Sequence, residues 1–331
     1  MFLPVSIEIS SFNRKETLRA VLSKLAEQSY PADLMEVVIS DDGSEDGLTQ
    51  MVSSLLPELP YRLTLLQDSH AGPGATHNRG IAAASHELVI MLAADVLPAP
   101  DFVAEHVRSH REHPAENVMV SGLLVQSPDM PDSAFQRNWN RMMNRMFEGE
   151  KKYLRHGFFF VSNLSFKKSF MMSHGMFREW PPASLEDLEL GYRLKSQGMR
   201  LERNRRAVGY HYHPVTMEAV AHRAVTEGYY WRQFERHVPE VWVKAKSGHL
   251  TPGDGGWPYL EMVWVMAVRN LLANACTIPL LVVPLIKAAE RWPFLAVGMR
   301  LYTLLFSIYH YDLGRRAWER GEELGIAHSK L

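Results

Sequence analysis

Several short polar groups in this sequence are of types that could act together on one ligand. Ser10, Ser11 and Asn13 sit in Ser10-Ser11-Phe12-Asn13-Arg14, Asp41 and Asp42 open Asp41-Asp42-Gly43-Ser44, and Asp95 ends Ala93-Ala94-Asp95. Further on come the adjacent carboxylates Glu186 and Asp187, then the imidazoles of His211 and His213 in Gly209-Tyr210-His211-Tyr212-His213-Pro214. A carboxylate accepts N–H groups, takes a proton from a hydroxyl, or ligates a hard cation. An imidazole ligates a divalent metal when neutral and donates to phosphate when protonated. Each group also has a plain structural reading. Asp-Asp-Gly-Ser is ordinary turn chemistry, and acidic residues in a first helical turn are favoured by the helix dipole.

The elements that must position these groups alternate. Residues 5–9 read as a strand, and residues 16–28 carry helical apolar spacing through Leu18, Val21, Leu22 and Leu25. A β-rich run follows at 35–40, a helix at 48–56 and a strand at 61–66. Ala71-Gly72-Pro73-Gly74 reads as a turn, residues 76–84 as a helix and 87–92 as a strand. Such alternation predicts an α/β fold with a mostly parallel central sheet, which binds ligands along the C-terminal edge of its strands. Ser10 to Asn13, Asp41, Asp42 and Asp95 all fall on that edge. The middle of the chain mixes helices and short strands, with a helix expected over 138–146.

The last third differs. Residues 259–311 are rich in Leu, Val, Trp and Met with helical spacing, but the best apolar window, 271–286, contains Asn274, Pro279 and Pro284. It falls short of the about 20 apolar residues that a membrane span needs. Helices packed on the α/β domain, helices lying on a membrane surface with Trp257, Trp264, Trp292 and Trp318 at the interface, and, least favoured, a full crossing are the readings.

The 331-residue chain is 46% hydrophobic with a formal net charge of -1, so it can bury a real core and carries no overall signature of nucleic-acid binding. Arg200, Arg203, Arg205 and Arg206 form a local basic cluster, read as a solvated face or as a contact for phosphate or an anionic membrane. The single cysteine, Cys276, excludes an intrachain disulfide and fits a reducing compartment. The first residues lack a signal-peptide pattern, so the expected location is cytoplasmic, at the inner face of the membrane if the C-terminal helices touch it.

The opening Val5-Ser6-Ile7-Glu8-Ile9-Ser10-Ser11-Phe12-Asn13-Arg14, followed by Val37-Val38-Ile39-Ser40-Asp41-Asp42-Gly43-Ser44, resembles the start of the family 2 glycosyltransferases. Ser184-Leu185-Glu186-Asp187 and the helix after it resemble that family's Glu-Asp motif, and residues 209–214 its histidine segment. The resemblance covers roughly residues 3–240. It implies a GT-A catalytic domain over 1–240 and a mainly helical region over 241–331. It also implies an inverting transfer of sugar from a nucleotide-sugar, most commonly a UDP-sugar, to a hydroxyl of a glycan, a lipid-linked glycan or another acceptor. Ser10, Ser11, Asn13 and Asp41 would then hold the base and ribose, Asp187 would be the general base with Glu186 supporting it, and Asp95, His211 and His213 would hold Mn2+ or Mg2+ on the diphosphate. Oligomerisation is compatible with this reading.

Three positions depart from the family's pattern. Ala93 stands where the first residue of its Asp-x-Asp motif is expected, leaving Asp95 with fewer partners. His77 stands where the family has arginine; a neutral imidazole would hold a diphosphate less well, and Arg79 is the expected substitute. Glu8 stands where an aliphatic residue is usual, so that it either pairs with a base or lies on a less buried strand. The alternative reading is a weakened or inactive nucleotide-sugar-binding homologue that supports a partner enzyme.

Overall fold

The computed structural model describes residues 2–130, 159–179, 185–214 and 276–291, together with 133, 136, 137, 140, 153, 154, 216, 219, 234, 235, 243, 244 and 271. Residue 140 apart, the helix expected over 138–146 lies outside these, as do Trp257, Trp264, Trp292 and Trp318. The chain divides into two compact units, Met1–Met130 with Asn144–His213, and Pro131–Met143 with Pro214–Leu331.

The first unit is built on one mixed sheet. Its strands are β1 (Val5–Ser11), β2 (Met35–Asp41), β3 (Arg62–Gln67), β4 (Leu88–Leu92), β5 (Val96–Pro98), β6 (Val118–Gln126), β7 (Tyr153–Leu154), β8 (Asn163–Lys167) and β9 (Arg200–His211). Among the described residues they run in the order β3-β2-β1-β4-β8-β6-β9-β5, with β7 also paired to β9. β1, β2, β3 and β4 are mutually parallel, as are β6 and β9, so most of the registered residues are in parallel pairs. β8 enters antiparallel between β4 and β6, and β5 folds back antiparallel on β9. The α/β architecture expected from the alternation is the one observed, and it is of the kind that the family resemblance implies.

The parallel strands are joined by α1 (Lys15–Ala26), α2 (Leu48–Leu55) and α3 (Pro73–Ala83); α4 (Phe102–Glu112), α5 (Lys168–Ser173) and α6 (Glu186–Ser196) follow. α3 starts earlier than its periodicity suggests. Pro73 takes the first helical position, where its missing N–H costs nothing and its fixed φ suits the helix, so the Gly/Pro-rich segment is half turn and half helix. α6 ends as expected: Gly198, with φ +85°, follows the last turn in the left-handed region that favours glycine.

Two cores flank the sheet. Val5, Ile7, Ile9, Val37 and Ile39 pack with Leu18, Val21 and Leu22 of α1 and Phe102 of α4 on one side. Val89, Met91, Leu164 and Phe166 pack with Ile81 of α3 and Leu190 and Leu194 of α6 on the other. The alternate residues of β1 and β2, Val38 apart, are not apolar. Ser6, Glu8, Glu36 and Ser40 are all buried, and each carboxylate finds partners there. Glu36 accepts from Ser6 Oγ at 2.7 Å, Ser85 N at 2.7 Å and Ser85 Oγ at 2.8 Å. Burial alone would raise its pKa, but these hydrogen bonds and the Arg62 charge leave it below the usual carboxylate value.

In the second unit a π-helical stretch, Ile278–Val282, leads into α7 (Val283–Arg291), and Leu280, Leu281 and Leu285 are exposed. Among the described residues no helix is long and apolar enough to cross a membrane. Cys276 is a free, exposed thiol.

Candidate active site

The C-terminal ends of β1 and β2 are laced together before any ligand is considered. Ser11 O accepts Asp42 N at 2.9 Å, and Asn13, held at φ 51°, donates its N–H to Ser44 Oγ at 2.8 Å and accepts Glu45 N on Oδ1 at 2.9 Å. Asn tolerates this left-handed conformation better than most residues, which is a local reason for its presence. Asp41 is buried and accepts Ser44 N at 3.1 Å. Ser10 is half-buried; Ser11 is buried, and its Oγ has no hydrogen-bond partner. Ser10, Ser11, Asn13 and Asp41 are thus brought to one edge, with Asn13 and Asp41 already shaping the loop.

Asp42 binds the neighbouring loop. It accepts Ala71 N at 2.9 Å and Gly72 N at 3.1 Å, and lies 2.9 Å from His70 Nδ1. The His70 ring stacks on Phe12, centroids 4.6 Å apart, so an aromatic pair borders this edge. Arg79 stands against Asp42 at 3.7 Å and Asp68 at 3.4 Å. It therefore neutralises the β2 and β3 ends of the edge.

Asp95 and His211 meet through strand pairing. β5 pairs with β9 so that Val96 opposes His211, and Tyr212 N donates to Asp95 O at 2.7 Å. His211 Nε2 then lies 3.9 Å from Asp95 Oδ2. Arg14, which sequence reasoning quoted without a role, joins them: its Nη1 is 3.7 Å from Asp95 Oδ2 and donates to His213 Nδ1 at 3.2 Å. Burial, and then the Arg14 charge, hold His213 below the usual histidine pKa, which suits a ring that accepts on Nδ1. Its place directly after Asn13 was the available signal for Arg14.

Among the described residues no three His, Cys, Asp or Glu side chains form a metal cage. Asp95 and His211 fit a more open arrangement, in which one carboxylate and one imidazole share a hard cation with phosphate oxygens and water. Ala93 instead shapes the turn, its O accepting Val96 N at 3.0 Å and its N donating to Ser162 O at 3.2 Å.

Glu186 and Asp187 form the first turn of α6, both half-buried, with Leu188 N donating to Asp187 Oδ1 at 2.6 Å. The residue before them, Leu185, has φ 71°, a conformation that costs a branched side chain about 1 kcal/mol or more. α6 is fixed by Glu189, which accepts from Arg193 Nε and Nη2 at 3.1 Å each and faces Arg178 Nε at 3.3 Å. Arg193 also donates to the carbonyls of His174 at 2.6 Å and Met176 at 2.5 Å.

Of two buried features, sequence reasoning left one open and missed the other. Glu8 is fully buried and pairs with His77 Nδ1 at 3.0 Å, so the two departures from the family pattern are one interaction. This pairing bears on the charge of the His77 imidazole. Burial disfavours its charge, but the charge and hydrogen bond of Glu8, then Glu186 and Asp187, raise its pKa above the ordinary value. The second feature is a histidine pair, His106 and His110, bound to Ser165 at 2.8 and 2.9 Å, with His106 Nε2 also 2.8 Å from Asn163 Oδ1. Asn163 donates to Ala207 O at 3.0 Å and Leu123 O at 3.3 Å, tying β8 to β6 and β9.

The mixed sheet carries carboxylates, imidazoles and short polar loops along one edge, and solved structures that share this fold are glycosyltransferases. The chain belongs to glycosyl transferase family 2, whose family model matches residues 6–174. It is similar to the uncharacterized glycosyltransferase YfnE of Bacillus subtilis, 25% identical over 267 residues that cover 66% of this chain and 67% of that protein. Other curated relatives are matched over 23% to 54% of their own length, so this chain spans only part of them. Among solved structures it resembles mannosyltransferase PcManGT from Pyrobaculum calidifontis in complex with GDP-Man and Mn2+. The TM-score is 0.64 at 20% identity, over 97% of this chain and 89% of that one. It also resembles Staphylococcus aureus TarS 1–349 in complex with UDP-GlcNAc, with a TM-score of 0.51 at 16% identity over 97% and 93% of the chains.

Proposed function

We propose that this glycosyltransferase inverts the sugar it moves, from a UDP-sugar to a hydroxyl of a glycan or lipid-linked glycan. Asp187 is the general base and Glu186 orients the acceptor. The observation that carries the reading is the half-exposed Asp187 carboxylate in the first turn of α6, with its Oδ1 fixed by Leu188 N. A carboxylate oriented in this way takes the acceptor proton as the hydroxyl oxygen bonds to the anomeric carbon. The bond from that carbon to the nucleoside diphosphate breaks in the same displacement.

Asp41, Ser10, Ser11 and Asn13 hold base and ribose at the ends of β1 and β2, and Arg79 stands behind them on Asp42. UDP as the donor nucleotide rests on Asp41, whose carboxylate suits the imide N–H of uracil, and on the likeness to a structure holding UDP-GlcNAc. Asp95 with His211, and His213 beside them, would hold Mn2+ or Mg2+, which supplies positive charge to the leaving diphosphate. Arg14 already places one positive group at Asp95.

The catalytic part is read as residues 1–240 and the helical part as 241–331. Exposed Leu280, Leu281 and Leu285 support contact of that helical part with a membrane face, which suits a lipid-linked acceptor on the cytoplasmic side. Ala93 favours one second reading, a weakened homologue that binds nucleotide-sugar and supports a partner. A nucleotide-release assay over UDP-, GDP- and dTDP-sugars with Mn2+, followed by mass spectrometry of the product, separates the two. Release and transfer with a UDP-sugar are expected; UDP binding without either across a broad acceptor panel would establish the second reading.

A further inference from the structure

Glu8 lies in the middle of β1, in register with Val38 of β2 and Met91 of β4, and has no contact with solvent. A carboxylate stripped of water there needs a fixed positive partner. His77 of α3, itself 8% exposed, places Nδ1 3.0 Å from Glu8 Oε2. The surroundings are shaped to seat this pair. Gly80, on the next turn of α3, leaves the space: a Cβ there would stand 2.6 Å from Glu8 Cγ and 2.7 Å from Oε1. The Phe177 ring lies against the imidazole with centroids 5.2 Å apart. Asn78 fixes that ring to α3, donating to Phe177 O and accepting from Phe177 N at 2.9 Å each. The segment carrying Phe177 is tied in turn to α6 through Arg178 on Glu189 and through Arg193, which donates to Met176 O.

We propose that Glu8 and His77 are positioning residues for the Glu186–Asp187 site: a buried ion pair whose imidazolium is a fixed positive charge acting on both carboxylates and favouring the proton-accepting form of Asp187. The charged groups bearing on the ring are Glu8 from β1 and Glu186 and Asp187 from α6, and Phe177 adds an uncharged face. Influence between titrating groups is mutual, so carboxylates that stabilise the imidazolium are themselves stabilised as anions by it. Ion pairing is also why two residue types foreign to their positions occur together: Glu8 buried alone would be an uncompensated charge, and His77 buried alone would be held neutral. The inference rests on the reading of Asp187 as the base.

NMR titration of the 15N-labelled His77 ring in the full chain tests the link without using activity. In Asp187→Asn the ring is expected to lose its proton about half a unit or more lower in pH than in the wild type. An unchanged midpoint would overturn the inference, whatever that variant does to turnover. The second arm is the pH profile of kcat/KM. Glu8→Gln, which keeps the shape of the side chain, is expected to move the acid limb up by about one unit, with a larger loss below neutral pH than above it. An independent control is His77→Arg, which keeps a positive charge at that position and is expected to hold the limb nearer the wild-type value than His77→Gln does. A Glu8→Gln protein that is less stable but has an unmoved limb would mark the pair as structural only and sink the proposal. Should Asp187→Asn turn over normally while the His77 midpoint still moves, the link to Asp187 stands and the base assignment falls.

Discussion

His211 Nε2 lies 3.9 Å from Asp95 Oδ2 because Val96 and His211 oppose each other across β5 and β9. Nothing local connects these residues; an antiparallel pairing at the sheet's far edge does. The same register brings Tyr212 N to Asp95 O and leaves Arg14 within reach of both the carboxylate and His213.

The Asp95–His211 pairing makes a direct claim about metal dependence. Asp95→Ala is expected to lower transfer by about 100-fold or more, and EDTA to suppress the wild type with recovery on added Mn2+. Nucleotide release measured with and without chelator decides it. Full activity in EDTA would refute a cation at this edge.

Asp187→Asn removes the proton acceptor while preserving shape. A loss of about 100- to 10,000-fold in kcat is expected, with donor affinity by calorimetry little changed, because the groups proposed to hold the donor lie at the ends of β1 and β2 and just before β5. Turnover at the wild-type rate would reassign the base.

Acid should weaken the fold through α4. Burial holds His106 down at about 4 and His110 at about 3, both far below 6.5, so both rings stay neutral in the folded chain as pH falls. The unfolded chain binds more protons below about pH 6.5, so stability is lost from there downwards, by about 2 kcal/mol per ring at pH 5. Denaturant melts at pH 7 and pH 5 read this directly; equal midpoints would show that the rings are not held neutral. Glu36, lowered below its ordinary 4.5, adds its own loss only at more acid pH.

Arg193→Lys keeps the charge but not the fork that serves Glu189 and two carbonyls. A loss of about 2 kcal/mol in stability is expected, since Glu189 is 3% exposed and only Arg178 would remain with it. An unchanged melting midpoint would mean that Arg178 alone holds the helix.

Gly122 sits at the β6 irregularity, where a Cβ would collide with the Asn163 amide and Ala207 O. Gly122→Ala is expected to cost about 3 kcal/mol, because the obstruction is partly backbone and cannot swing aside. A midpoint within error of the wild type would show that the bulge relaxes.

Much of the parallel half was legible in the chain. Leu18, Val21 and Leu22 repeat at helical spacing, and apolar residues on β1 and β2 line one core, so local pattern and burial agree. The turn at Pro73 was misread because a proline signals both a turn and a helix start. Glu8 was legible as an anomaly that a base could compensate, but which base was not, since its partner comes from α3 and only packing brings the two together.

By itself the sequence determined which residue types are available: short polar loops after β1 and β2, the Glu186–Asp187 turn, and alternating histidines at 211 and 213. It determined the family as well, through motifs whose spacing survives without any contact being known. Only the tertiary structure decided which of these groups meet. Sheet register placed Asp95 beside His211 and Arg14, and helix packing turned Glu8 and His77 into one buried pair. Such contacts join residues far apart in the chain, and their energies depend on burial and distance, which no local pattern encodes.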